Sequence, residues 1–88
     1  MAMNSIRSPQ QLGTALQEAR KQLGLTQPRL ALAAGVGVRF IVDLEAGKPT
    51  LQLGKLMKVI DALGGEILLR GLPTTTAQPP RKEMSDGT

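Results

Sequence analysis

Cysteine and histidine are both absent from this 88-residue sequence. Without cysteine there is no disulfide framework and no thiolate-held zinc. Without histidine the commonest general base and the commonest metal ligand are gone as well. The carboxylates Glu18, Asp43, Glu45, Asp61 and Glu66 are scattered, and no pair of them reads as a catalytic dyad. The sequence therefore points away from an enzyme, from a metal site and from a cofactor. Tryptophan and tyrosine are missing too, and there is a single phenylalanine. The core must be built from Leu, Ile, Val, Ala and Met, side chains that pack helix against helix. No apolar run approaches the roughly 18 residues that a membrane span needs, and no charged start followed by an apolar stretch marks a secretion signal. The expectation is a cytoplasmic protein with no membrane role.

What is present is basic. The formal net charge is +4 and the isoelectric point is about 10.1. Such a balance favours a polyanionic partner. Residues 73–88 carry equal numbers of acidic and basic side chains among Thr, Pro, Gln, Ser and Gly. That composition cannot bury enough apolar surface to order itself and reads as a disordered tail, so the positive charge belongs to the part that folds.

Four helices are legible between two less structured ends. Residues 1–7 read as a flexible arm. Ser8 is placed to cap a first helix over 9–23, with Pro9 at its first position. Apolar residues recur at Leu12, Ala15, Leu16, Ala19 and Leu23, the helical period, and Gly24 supplies a left-handed stop. Thr26 caps a second helix over 27–34, with Leu30, Ala31, Ala33 and Ala34 expected inward and Gly35 ending it. A third helix, over 38–46, places Ile41 and Leu44 inward. Thr50 is expected to cap a fourth, over 51–63, with Leu53, Leu56, Met57, Ile60 and Leu63 inward and Gly54 marking close packing. The run Glu66-Ile67-Leu68-Leu69-Arg70, bounded by Gly71 and Pro73, has a strand's composition. A lone strand cannot satisfy its own backbone, so these residues either add helix or pair with a second copy of the chain.

The most informative stretch is Thr26-Gln27, Leu30-Ala31, Gly35-Val36, Ile41 and Leu44-Glu45. A helix, a glycine-containing turn and a second helix at this spacing form a helix-turn-helix. The pattern resembles the Xre and phage-repressor family over residues 9–64. That resemblance implies an all-α, lambda-repressor-like domain of four or five helices that binds double-stranded DNA. It implies that Gln27 contacts the DNA backbone and supports the third helix, and that Glu45 pairs with Arg20. A narrower resemblance is to the HipB-like antitoxins. It rests on Ser8-Pro9-Gln10-Gln11-Leu12, on Gly47-Lys48-Pro49-Thr50-Leu51 and on the apolar run after the fourth helix. It implies a homodimer sealed by strand pairing through Ile67, Leu68 and Leu69. It also implies repression of the protein's own operon from a palindromic operator, and neutralisation of a HipA-type serine/threonine kinase toxin. A stand-alone regulator of the same fold, or a helical interaction module without DNA binding, are the competing readings.

On this reading the start of the third helix enters the major groove. Val38, Arg39, Val42 and Asp43 form the base-reading face. Arg39 meets either a guanine edge or a phosphate. Asp43 either accepts from a cytosine amino group or holds Arg39 one turn away. Thr26, Gln27, Arg29, Gly37, Phe40, Lys48 and Thr50 are the backbone-contact set, with Phe40 either exposed there or partly buried against the second helix. Gly37, Val38, Phe40 and Val42 offer few hydrogen bonds, so direct readout is thin and DNA shape carries more.

Overall fold

A computed structural model describes residues 5–73 of the chain. The first four residues of the arm and most of the polar tail lie outside the described residues. Four helices follow one another: α1 (Pro9–Gln22), α2 (Gln27–Ala34), α3 (Val38–Glu45) and α4 (Leu53–Ala62). The all-α architecture is the expected one. No helix among the described residues is long and apolar enough to cross a membrane.

The first two helices begin as their sequences dictate. Ser8 and Thr26 hold extended backbone, and their hydroxyls accept hydrogen bonds from Gln11 N and Arg29 N at 3.1 and 3.2 Å. Each side chain so satisfies an orphan amide of the first turn. Gly35 ends α2 at φ 72, in the left-handed region, which lets the chain reverse directly into α3.

α3 and α4 both pack on α2, and α1 crosses α3. The core where they meet holds Leu30, Ala31, Ala34, Ile41, Leu44 and Val59, with Leu12, Leu16, Leu25, Phe40, Leu56 and Leu63 packed around it. Gly13 makes the α1–α3 crossing possible. A Cβ there would lie 2.9 Å from the Glu45 carbonyl oxygen and nearer still to that of Leu44. Both obstacles are backbone and cannot swing away.

Several expectations are corrected. Ala33 is exposed, because α2 turns only one stripe to the core. α4 starts two residues later than expected, its N-cap is Gln52, and no side chain caps it, so Thr50 lies outside the helix. Its buried stripe runs through Leu56, Val59 and Leu63, leaving Leu53 and Met57 on the exposed flank. The apolar arc of this helix is wider than one chain covers. Gly54 faces open space and marks no close approach. The reading of residues 66–70 as added helix is set aside, since residues 65–70 of the single chain form neither helix nor strand. A strand needs a partner strand, and the described residues of one chain supply none.

Candidate nucleic-acid interface

At the end of α3, Glu45 is taken almost wholly out of water: its side chain is 3% exposed, and that of Arg20 10%. A buried carboxylate needs a partner for each lone pair. Arg20 donates through Nε to Oε2 at 2.6 Å and through Nη2 to Oε1 at 3.0 Å. Gln27 and Gln17 also donate to Oε1, at 3.0 and 3.3 Å. The remaining amino group of Arg20 donates to the Leu25 carbonyl oxygen at 2.8 Å. Burial alone pushes the Glu45 carboxyl up. The hydrogen bonds from Arg20, Gln27 and Gln17 and the charge of Arg20 outweigh it, so the group sits below its ordinary value. The Glu45 hydrogen bond raises Arg20 further above its own.

This cluster joins the late part of α1, the turn after it, the first residue of α2 and the last of α3. It fixes α3 to its scaffold from one end while Ile41 and Leu44 fix it from beneath. The outer face of α3 is left uncovered, and Val38, Arg39 and Val42 are exposed on it. Gly37 opens the helix with extended backbone and without a side-chain cap, and a Cβ there would meet nothing within 4 Å. The start of α3 is therefore sterically open.

Arg39 projects from that face. Its Nε lies 3.3 Å from Asp43 Oδ1, and Lys48 Nζ lies 3.6 Å from Oδ2 of the same carboxylate. Arg29, on the first turn of α2, is exposed, as are Thr26 and Thr50. Of the two readings of Phe40 the structure takes the second: it is partly buried and packs against the core cluster. Although Ile41 and Leu44 hold the centre of the α3 stripe, its edge still has room for an aromatic ring. Gln27 supports α3, as expected, and does so through Glu45.

Two contributors escaped the sequence reading. Gln17 lies one turn before Arg20, on the same face as Gly13, so helical spacing carried that signal. The pairing of Lys48 with Asp43 runs across the end of a helix, where no periodicity points to it.

A short helix capped by Thr26, a left-handed glycine turn and a second helix with a bare outer face define a helix-turn-helix DNA-binding regulator. Comparison with known proteins places the chain in that group. The helix-turn-helix family model matches residues 16–69, and the chain belongs to this family. It is similar to the uncharacterized HTH-type transcriptional regulator y4mF of Sinorhizobium fredii, 52% identical over 62 residues, covering 70% of this chain and 82% of that protein. Among solved structures, it resembles HipB in a HipB–O4 20mer complex, with a TM-score of 0.73 and 28% identity over 81% of this chain and all of that one. It also resembles HipB in a HipA–HipB–O2–O3 complex, with a TM-score of 0.73, 28% identity and 81% of this chain covered against all of that one. The clp gene regulator ClgR from C. glutamicum is similar over 75% of this chain and 85% of its own, with a TM-score of 0.62 and 29% identity.

Proposed function

We propose that this protein is a sequence-specific transcriptional repressor that acts as the antitoxin of a HipBA-like operon, binding its own operator and a HipA-type kinase. The observation that carries the DNA-binding part is the buried Arg20–Glu45–Gln27 cluster, which immobilises α3 behind an exposed Val38–Arg39–Val42 face. An exposed outer face on a firmly held helix is what insertion into the major groove requires. Arg39 supplies the strongest hydrogen-bonding group of that face. Val38 and Val42 suit thymine methyl groups. Thr26, Gln27, Arg29, Gly37, Lys48 and Thr50 flank it as backbone contacts, together with the N-termini of α2 and α4. Phe40 acts in this set by wedging the edge of α3 in place.

The antitoxin part is supported by likeness over the whole of the HipB chains, one of them in complex with HipA. In this reading Ile67, Leu68 and Leu69 pair with the same residues of a second copy, and the dimer presents two α3 helices to a palindromic site.

The decisive measurement is a mobility-shift titration with the promoter DNA of the protein's own gene. Binding should weaken steeply as salt rises, because phosphate contacts release counterions. Arg39→Ala should relax selectivity at one base pair per half-site by roughly 1–3 kcal/mol. A uniform loss on every sequence would assign Arg39 to phosphate instead. Co-expression with a neighbouring kinase-like gene tests the second part. If no complex forms, the protein is a stand-alone regulator.

A further inference from the structure

Asp43 lies in the middle of the proposed reading face, where a negative charge opposes binding to DNA. The structure gives it two occupations. Its Oδ1 faces Arg39 Nε at 3.3 Å and its Oδ2 faces Lys48 Nζ at 3.6 Å. The Asp43 side chain is 24% exposed, against 85% for Arg39 and 49% for Lys48. The short carboxylate is thus the most covered of the three groups, and Arg39 the most exposed. Lys48 is tethered as well: its backbone N–H donates to the Asp43 carbonyl oxygen at 3.0 Å. The Gly47 before it turns at φ 85 against Gln10. Backbone and side chain so converge on the same residue from the far end of α3.

We infer that Asp43 is a positioning residue for DNA recognition. Lys48 sits beside one oxygen of its carboxylate, and the other oxygen draws the Nε edge of Arg39 toward it as an ion pair, biasing the side chain toward conformers that leave its terminal amino groups for DNA. The inference rests on the DNA-binding reading above. A free arginine side chain is rich in rotamers and finds the nearest phosphate. One drawn by its Nε edge toward a carboxylate on the same helix visits fewer rotamers and is biased toward a planar, two-acceptor target such as a guanine edge. Exposed ion pairs are weak, so the triad biases where Arg39 points rather than locking it. Asp43 also subtracts one positive charge from the contact surface and thereby weakens attraction to any DNA. It exchanges general affinity for discrimination, on a face where Val38 and Val42 leave few other means of discriminating.

The test uses the full chain and a pool of random-sequence DNA duplexes, from which the unaltered protein selects its preferred site. Single-base-pair variants of that site are then titrated with the unaltered protein, Arg39→Ala, Asp43→Asn and the double variant. Asp43→Asn should bind an unrelated duplex more tightly and with a steeper salt dependence. It should lose a few-fold of its preference at the base pair that Arg39→Ala also relaxes, and the double variant should lose no more there than Arg39→Ala. Lys48→Gln should shift the same base pair in the same direction by less. Unchanged preference at the Arg39-dependent base pair overturns the inference. So does relaxation at a second base pair with losses that add, because Asp43 would then read a base itself. If the unaltered protein selects no sequence, the DNA-binding reading itself fails, and that result is distinct from either of the others.

Discussion

Glu45 concentrates more of the fold's polar energetics than any other described side chain. It accepts from Arg20 twice, from Gln27 and from Gln17, and it is the counter-ion of an arginine that is itself nearly buried. Removing one member of a buried pair leaves the other uncompensated, at a cost of about 3–5 kcal/mol. That is a large part of the roughly 5–15 kcal/mol available to a small domain. Glu45→Gln keeps the shape and loses the charge, so it should lower the melting temperature at neutral pH by roughly 10 °C or more. The pH profile provides a second readout. The folded state holds the Glu45 proton less tightly than the unfolded chain does. The cluster's contribution is therefore complete above the ordinary glutamate pKa of about 4.3, and it is lost as the pH falls from there through the lowered folded value. Thermal melts across the acid range should show this loss in the unaltered protein and a flatter profile in Glu45→Gln. Matching profiles would show that the pair is not what acid disrupts.

At the scale of helices, the sequence was most readable where local chemistry and tertiary packing demand the same residue. Ser8-Pro9 and Thr26 start helices because a hydroxyl and a fixed φ suit those positions whatever packs on them. Gly35 stops one because a left-handed residue is needed there. Helices α1, α2 and α3 accordingly fall within a residue of their expected bounds. The fourth helix forms as expected but departs in its start and in part of its inward stripe. Thr50 has the chemistry of a cap, yet Pro49 and Leu51 lie in the connection and the helix begins only at Leu53. Its apolar residues spread over too wide an arc for periodicity to single out the Val59 stripe. Gly13, with no apolar atom to register in a hydrophobic pattern, was invisible although it sets the distance between two helices. The site divided in the same way: Arg20, Gln27 and Glu45 were found through a family resemblance, while the Lys48 contact depends on how the chain leaves α3. The two threonines make the difference measurable. Thr26→Ala removes a bond to Arg29 N and should cost about 1 kcal/mol. Thr50→Ala removes no helix cap and should stay within about 0.5 kcal/mol. Urea denaturation of both variants checks the contrast, and equal losses would place a cap at Thr50 after all.

For the molecule as a whole, one chain leaves a large apolar surface exposed. Leu53 and Met57 on α4 and Ile67, Leu68, Leu69 and Leu72 after it all face outward. Large exposed apolar surfaces usually mark an interaction. Residues 65–70 add a second unmet demand, for they have a strand's composition but no partner strand among the described residues. A two-fold pairing of this segment with its copy would supply the partner strand and bring Ile67, Leu68 and Leu69 of two chains together, and a dimer reading a palindrome needs its two α3 helices on half-sites roughly 34 Å apart. Ile67→Lys and Leu69→Lys each put a charge into that proposed contact. Sedimentation equilibrium should show both variants shifted toward monomer. Mobility shifts should show them losing affinity for a two-half-site duplex while keeping weak binding to a single half-site. Met57→Lys discriminates the alternative: if it dissociates the protein while Ile67→Lys and Leu69→Lys remain dimeric, the copies meet through α4 and the segment after it serves another partner.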